Sequence, residues 1–151
     1  MIRAVALIAA LTPSVGIAQS AAPCDWQASA QAIVEPWEEN TRLFANGKVR
    51  IAALDTVEPA AGAAYLLVLS PPYTETGERQ CRVIGFTNDM GFTALHFDAL
   101  QSGYSPAKGL VFAVPVRVGV EGDSFTNGAI LTVIVNQATG KITTDLALGR
   151  E

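Results

Sequence analysis

The run from Leu110 to Val120 constrains the fold of this chain most strongly. Every second residue is a large apolar one: Leu110, Phe112, Val114, Val116, Val118 and Val120. Because side chains on a β-strand point to opposite faces in turn, this period predicts a strand with one face in a hydrophobic core. Pro115 lies on the other face and has no N–H for a neighbouring strand, which predicts an edge strand or a β-bulge.

The dipeptide Asn46-Gly47 lies between two extended runs and predicts a β-hairpin with a two-residue turn. Both residue types tolerate the positive φ values that a type I′ turn requires. A loop of this length pairs Phe44 with Val49 and directs both side chains to the core. Arg42 then shares the core side of its strand and lies at the rim, where we expect it to pair with a carboxylate or bind an anion.

Further apolar runs bounded by turn residues predict the remaining strands. The clearest are Tyr65–Ser70, which Pro71-Pro72 is expected to end, Arg79–Thr87, Ala129–Asn136 and Lys141–Leu148. The connections are short, and strands do not alternate with long helices, so a doubly wound parallel sheet is not expected. We predict a mainly β (α+β) fold, an antiparallel meander that forms a sandwich or half-barrel with a short N-terminal helix.

That short helix is predicted over residues 26–34. Asp25 can cap its start, and apolar residues then recur at helical spacing. Pro36 disfavours helical backbone at the residue before it and should end the helix. Trp26 and Ile33 are expected to cover the face or edge of a sheet.

The segment from Phe92 to Leu100 fits two patterns. Its apolar residues have helical spacing, but Phe92–Phe97 also reads as a short strand followed by one helical turn. We favour the strand and turn, with Asp98 as the residue that caps the turn. Gly103, Ser105-Pro106 and Gly109 are then expected to form a loop.

The first 18 residues have the order of a secretory signal peptide. A positively charged start precedes the apolar run Ala4–Leu11, and the small residues Gly16 and Ala18 fit a cleavage site. The run is too short to span a bilayer, so no membrane insertion is expected after cleavage. We therefore predict a signal peptide over 1–18, a single β-rich domain over 19–151, and a periplasmic or secreted bacterial protein.

The two cysteines, Cys24 and Cys81, are predicted to form a disulfide, as a pair in an exported chain usually does. Pro23 directly before Cys24 disfavours a lipid anchor, and a catalytic thiol needs a base in a chain that holds one histidine. The bridge would contribute up to about 4 kcal/mol of stability. It would also order the N-terminal segment by tying it to the strand that carries Cys81.

The ionisable residues favour few chemistries. Lys and Arg number 10 against 14 Asp and Glu, and the basic residues are scattered, so no nucleic acid partner is expected. His96 is the one histidine, which is too few for a usual zinc site, and we assign no metal, cofactor or catalytic residue. His96 and Asp98 together form the best candidate for a polar site.

These features predict an exported, disulfide-linked domain that is a binding module of the cell envelope and not an enzyme. Its partner is expected to be a protein or another envelope component, docked on the edge of strand 110–120 or on loop tips. Tyr73, which follows two prolines, is a candidate interaction tip. The alternative is a small carboxylate-dependent hydrolase of the envelope with its site at His96 and Asp98.

Overall fold

The structure, a computed structural model, describes residues 21–120, 122 and 124–149. The predicted signal peptide over 1–18 lies outside these residues. The described chain is mainly β, as predicted. Its strands are β1 (Ala22–Pro23), β2 (Thr41–Phe44), β3 (Val49–Asp55), β4 (Ala64–Tyr73), β5 (Arg79–Ile84), β6 (Ala94–Leu95), β7 (Gln101–Ser105), β8 (Gly109–Gly119), β9 (Thr126–Val135) and β10 (Ile142–Leu148).

The strands form two five-stranded antiparallel sheets. Sheet A has the order β1-β5-β4-β3-β2. Sheet B has the order β10-β9-β8-β6, and β7 pairs with β8 beside β6. Strands that follow one another in the chain are therefore mostly hydrogen-bonded neighbours, which confirms the antiparallel arrangement.

Both sheets contribute to one hydrophobic cluster, as the two layers of a sandwich do. Sheet A supplies Val49, Ile51, Leu66, Val68 and Ile84, and sheet B supplies, among others, Phe112, Val114, Val116, Leu131 and Val133. The rings of Phe44 and Phe112 pack across the layers with centroids 4.8 Å apart. This cluster contains most of the buried apolar residues, and their removal from water stabilises the packing of the two sheets.

The first hairpin has the predicted register. Phe44 pairs with Val49, and the turn residues Asn46 and Gly47 have φ values of 55° and 81°. The side chain of Val49 is fully buried, while its neighbour Arg50 is exposed. The two-residue period of this hairpin therefore fixes which face of sheet A points into the core.

The predicted core face of the strand at 110–120 is buried up to Val118, but its predicted place at an edge is wrong. β8 lies between β9 on one side and β6 and β7 on the other. The Pro115 carbonyl accepts a hydrogen bond from the His96 N–H at 2.9 Å. In a strand, the nitrogen of the same residue points to the same side, where a single helical turn interrupts β6 and β7. The Pro115 nitrogen, which has no hydrogen to donate, therefore faces the gap between β6 and β7, where no neighbouring strand requires a hydrogen bond from it.

The predicted helix over 26–34 is replaced by two 3-10 turns, Trp26–Ala28 and Ala30–Ala32. Ser29 between them is extended, with φ −85° and ψ 153°. A segment this short gains little from helix formation because nucleation is costly. Trp26 is exposed, contrary to prediction, whereas the partly buried Ile33 packs on sheet A and forms a bridge with Leu54.

The predicted disulfide joins Cys24 and Cys81, with Cα atoms 5.3 Å apart. The Cys24 N–H also donates to the Cys81 carbonyl at 3.2 Å, so the N-terminal segment runs along the edge of sheet A. From there it covers the outer face of that sheet. A second cluster forms beneath it from Ala32, Ala52, Leu54, Tyr65, Leu67 and Val83.

Three local predictions are also wrong. Pro71-Pro72 does not end β4, because a shift in the pairing between Ser70 and Tyr73 accommodates the prolines. The loop expected from Gly103 onward begins later, since Gln101–Ser105 pairs with β8. Asp98 lies inside the turn Phe97–Ala99, and His96 occupies the capping position without a side-chain hydrogen bond.

Among the described residues, no helix has the length and apolar character needed to cross a membrane.

Candidate functional site

A groove of about 600 Å³ crosses the outer face of sheet B. Its floor is formed by β8, β9 and β10. Along each of these strands, residues that face the core alternate with residues whose side chains point outward onto the floor. The apolar side chains on it include Pro115, Ile130 and Ala147. Ile130 is an exposed large hydrophobic residue that pairs with Ala147 on this face, whereas Leu148 pairs with the core residue Ala129 and points to the other face of β10. We call this feature the outer-face groove.

The ionisable side chains that line the outer-face groove are His96 and Arg117. Arg117 lies on β8, and its Nε donates to the Thr126 hydroxyl at 2.8 Å. That bond holds the guanidinium across the surface of the sheet. His96 is exposed and follows β6, which pairs with the same stretch of β8. The groove therefore combines an apolar floor with a basic side.

The predicted polar pair, His96 and Asp98, lies at the turn that follows β6. His96 lines the outer-face groove, whereas Asp98 is exposed in the following turn and is not among the lining residues. The described residues contain no group of three or more His, Cys, Asp or Glu side chains placed to hold a metal ion. A joint role for His96 and Asp98, and with it the hydrolase alternative, stays a prediction.

Arg42 lies at the rim of the core, on the side that the hairpin register predicts. Its guanidinium donates to the Leu100 carbonyl at 3.0 Å and lies 5.2 Å from the centre of the Phe97 ring. The contacts are thus with a carbonyl oxygen and an aromatic ring, where the sequence had suggested a carboxylate or an anion. Arg42 ties β2 of sheet A to the turn that precedes β7 of sheet B.

Tyr73 is the last residue of β4 and is exposed. It pairs with Arg79 across the hairpin, and the Thr74 N–H donates to the Glu78 carbonyl at 2.8 Å. The side chain therefore stands on a short, hydrogen-bonded loop at one end of sheet A. Its role as an interaction tip stays a prediction.

A second pocket, of about 200 Å³, lies where the N-terminal segment meets the chain between β5 and β6. Its lining includes polar side chains from three parts of the sequence: Asp25 and Gln27, Tyr65, and Thr87 and Asp89. We call it the seam pocket. Sequence reasoning missed it because these residues are distant in the chain and share no local period.

Tyr65 occupies a slot between two glycines. A Cβ atom at Gly85 would lie 2.9 Å from one edge of the Tyr65 ring, and one at Gly91 would lie 2.9 Å from the other edge. Glycine at both positions therefore lets the ring sit between β5 and the loop after it. These two glycines are the sequence signal that could have pointed to the slot.

The Tyr65 hydroxyl is buried and makes no hydrogen bond within the described chain. Burial raises the pKa of the phenol, and the nearby Asp89 charge raises it further. The Gly91 backbone and the Gln27 side chain act in the opposite direction on the pKa, yet neither meets the geometry of a hydrogen bond with the hydroxyl. The phenol is therefore neutral at physiological pH, with its hydrogen-bonding capacity unused.

Replacing Gly91 with alanine is expected to destabilise the fold by about 1–3 kcal/mol, the usual cost of overpacking. The new Cβ would lie 2.5 Å from the Ala64 carbonyl oxygen and 2.6 Å from the Gly62 carbonyl oxygen. Both are backbone atoms, and Ala64 is the first residue of β4, so the new Cβ would displace the start of that strand. Urea denaturation measures the loss.

The matched control for Gly91→Ala is Gly103→Ala, because a Cβ at Gly103 meets no atom within 4 Å. The control is expected to change the free energy of unfolding by less than about 0.5 kcal/mol. Equal effects of the two variants would show that the close approach at Gly91 has no energetic consequence.

No protein-family model matches this chain, and no curated protein or solved structure matches it either. The functional argument therefore depends on the geometry of the described residues.

Proposed function

We propose that this protein is an exported, non-catalytic binding module of the cell envelope. Its outer-face groove binds an extended, apolar segment of a partner protein that carries an acidic residue. The observation that supports this most directly is the exposed side chain of Ile130 beside the basic side chains Arg117 and His96 in one groove. The apolar floor, the basic side chains and the nearby edge of sheet B each favour a different property of the partner.

The apolar floor favours a partner with aliphatic or aromatic side chains. The disulfide-linked N-terminal segment buries apolar residues on the outer face of sheet A, including Leu54 and Leu67. On the outer face of sheet B, Ile130 is 42% exposed. Burying an isoleucine side chain fully contributes about 1.5–3 kcal/mol, so a partner that covers Ile130 gains appreciable affinity.

The charges favour an acidic residue in the partner. Arginine has five N–H donors in a planar fork, and the Arg117 bonds to Thr126 leave donors for a carboxylate. The chain as a whole has a net charge of −4. A groove whose ionisable lining is basic therefore stands out from the rest of the molecule and attracts the opposite charge.

The edge of sheet B favours an extended partner. β10 is the outermost strand of this sheet in the part of the chain that the structure describes. The Lys141 carbonyl and the Gly149 N–H bond toward β9, so the backbone groups of residues at even positions, such as Leu146 and Leu148, face away from β9. An added strand uses such groups, and pockets for alternate side chains then give specificity. This edge replaces the one predicted at 110–120.

The disulfide supports the exported part of the proposal. Disulfides persist in oxidising compartments and are rare in the cytosol. The bridge between Cys24 and Cys81 fits a mature chain that begins after residue 18 and resides in the periplasm or outside the cell.

A library of displayed 12-residue peptides tests the binding proposal. Peptides selected on the oxidised protein are expected to combine Asp or Glu with Leu, Ile, Val or Phe. Ile130→Asp is expected to weaken the best of them by about tenfold or more, because it places a charge on the apolar floor. Calorimetry or fluorescence anisotropy measures the affinity.

The control is Leu43→Asp, which makes the same kind of change at another exposed aliphatic residue, 55% exposed against 42% for Ile130, on the edge strand of sheet A. It is expected to leave the peptide affinity unchanged. Selection of basic peptides, or equal losses from the two variants, would show that the outer-face groove is not the binding surface.

A further inference from the structure

Strand β7 is an outer strand of sheet B whose free edge lacks the features that usually prevent strands from associating. It pairs with β8 alone among the described strands, and its five residues include no charged residue and no proline. Natural edge strands are commonly very short, or contain charged residues or proline. The other outer strands either have two residues, as β1 and β6 do, or contain a charged residue, as β2 (Arg42) and β10 (Asp145) do.

The backbone groups of Ser102 and Tyr104 face this free edge. The Pro115 carbonyl accepts from the His96 N–H, so odd-numbered residues of β8 direct their backbone groups toward β6 and β7. Gly103 pairs with an odd-numbered residue of β8, and hydrogen-bonded pairs alternate with non-bonded pairs in an antiparallel ladder. Ser102 and Tyr104, on either side of Gly103, therefore direct their N–H and C=O groups away from β8.

The side chains of β7 are open to solvent as well. Tyr104 is 67% exposed and lies on the same face of the strand as Ser102. A Cβ atom at Gly103 would meet no atom within 4 Å, so nothing in the described chain covers the opposite face at that position. Exposed tyrosine is enriched at protein interfaces, where its ring is buried and its hydroxyl stays hydrogen-bonded.

Charged residues of opposite sign flank β7. Asp98 lies in the turn before the strand and Lys108 in the turn after it, and both are exposed. Two identical strands that pair in antiparallel fashion bring the start of one to the end of the other, so an acidic end meets a basic end twice. Gly103 is the middle residue of β7, and the register that centres on it overlaps the two strands fully. The same register places position 98 opposite position 108.

We propose that β7 binds the β7 strand of a second copy of this chain, which gives a symmetric dimer with one sheet continuous through both copies. Ser102 of each copy exchanges backbone hydrogen bonds with Tyr104 of the other, as in an isologous interface. Diagonal neighbours on paired strands are within reach of aromatic side chains, so the two Tyr104 rings cover one another. Asp98 of each copy faces Lys108 of the other.

The dimer leaves the edge at β10 free, because β7 and β10 lie on opposite sides of sheet B. The twofold axis between two such strands is perpendicular to the sheet, so both outer-face grooves lie on the same side of the dimer. A partner with two binding segments would then gain avidity. That consequence rests on the proposed function, whereas the dimer itself does not depend on it.

Sedimentation velocity of the oxidised mature protein, without any peptide, tests the proposal. An edge-to-edge contact buries little surface, so we expect a reversible dimer with a dissociation constant on the order of 100 μM. The weight-average mass should rise toward that of two chains as the concentration increases. A protein that remains monomeric at about 1 mM, tenfold above this constant, would overturn the proposal.

The flanking charges allow a test in which two weakened variants restore one another. Lys108→Asp and Asp98→Lys each place like charges opposite one another, and each is expected to weaken self-association by about tenfold. One variant has two acidic ends and the other has two basic ends. Mixed in equal amounts, they are expected to form a heterodimer with the affinity of the wild type, which misfolded variants could not do. Sedimentation with one variant fluorescently labelled measures this recovery.

Lys141→Asp is the matched control, because it makes the same charge change just before β10, at the opposite edge of sheet B. It is expected to leave self-association unchanged. Ser102→Pro removes the N–H that faces the free edge, and proline is tolerated on an edge strand when its nitrogen points to solvent. We expect this variant to be monomeric with a melting temperature within about 3 °C of the wild type.

The proposal is wrong if the two charge variants show no recovery on mixing, or if Lys141→Asp weakens association as much as Lys108→Asp does. A folded Ser102→Pro variant that associates like the wild type would also contradict it. Should Ser102→Pro fail to fold, the mixing experiment decides the question alone.

Discussion

Replacing Cys24 and Cys81 with serine is expected to lower the free energy of unfolding by about 4 kcal/mol. The bridge closes a sequence separation of 57 residues, which restricts the unfolded chain considerably. Since domains are stable by only about 5–15 kcal/mol, this loss is a large fraction of the total. It also frees the segment that covers Leu54 and Leu67, so part of the outer face of sheet A becomes accessible to solvent.

Urea denaturation of the oxidised protein, the reduced protein and the double serine variant measures this effect. The reduced protein and the variant are expected to unfold at the same, lower urea concentration. Hydrogen exchange provides a local readout, because the Cys24 N–H bonds to the Cys81 carbonyl and should lose protection. An unfolding midpoint equal to that of the oxidised protein would contradict the role of the bridge.

The second large effect is expected from Phe112→Ala, which should destabilise the protein by about 3–5 kcal/mol. Phe112 is fully buried, with 0% of its side chain exposed, and packs against Phe44 from the other sheet. Its removal leaves a cavity between the two layers that the rigid strands cannot close. Chemical denaturation measures the change in the free energy of unfolding.

Phe125→Ala is the control for this substitution. Phe125 is 72% exposed, so its truncation is expected to change the free energy of unfolding by less than about 0.5 kcal/mol. Similar losses from the two variants would mean that Phe112 is not part of a shared core. The two-layer packing of sheets A and B would then be wrong.

The parts of the fold that the sequence predicts well have local causes. The period of two around Val114 identifies the buried face of β8, and Asn46-Gly47 sets the register of the first hairpin. The disulfide follows from the presence of just two cysteines behind a predicted export signal. Each of these inferences depends only on a short stretch of sequence or on the number of cysteines. None of them requires knowing which strands are neighbours in the sheets.

The mistaken predictions have causes that only the assembled sheets supply. Pro115 suggests an edge, but a gap between β6 and β7 removes the need for its N–H. The N-terminal segment has helical spacing, yet the disulfide and the bridge from Ile33 to Leu54 hold it along sheet A. In both places tertiary contacts override a local preference.

The candidate sites likewise depend on tertiary contacts that the sequence does not reveal. His96 and Asp98 are two positions apart in the sequence, but only His96 lines the outer-face groove. Asp25, Tyr65 and Asp89 are far apart in the sequence, yet they line one pocket. Asp98 lies in the turn Phe97–Ala99, which breaks the two-residue period of the strand, so closeness along the chain is a poor guide to shared chemistry here.

The intact mass of the protein isolated from its native compartment tests the central claim most directly. The claim is that the chain leaves the cytoplasm and becomes linked between Cys24 and Cys81. After denaturation with N-ethylmaleimide and no reductant, the account predicts a chain that lacks residues 1–18 and carries no maleimide. A chain that retains those residues and carries two maleimide groups would contradict it.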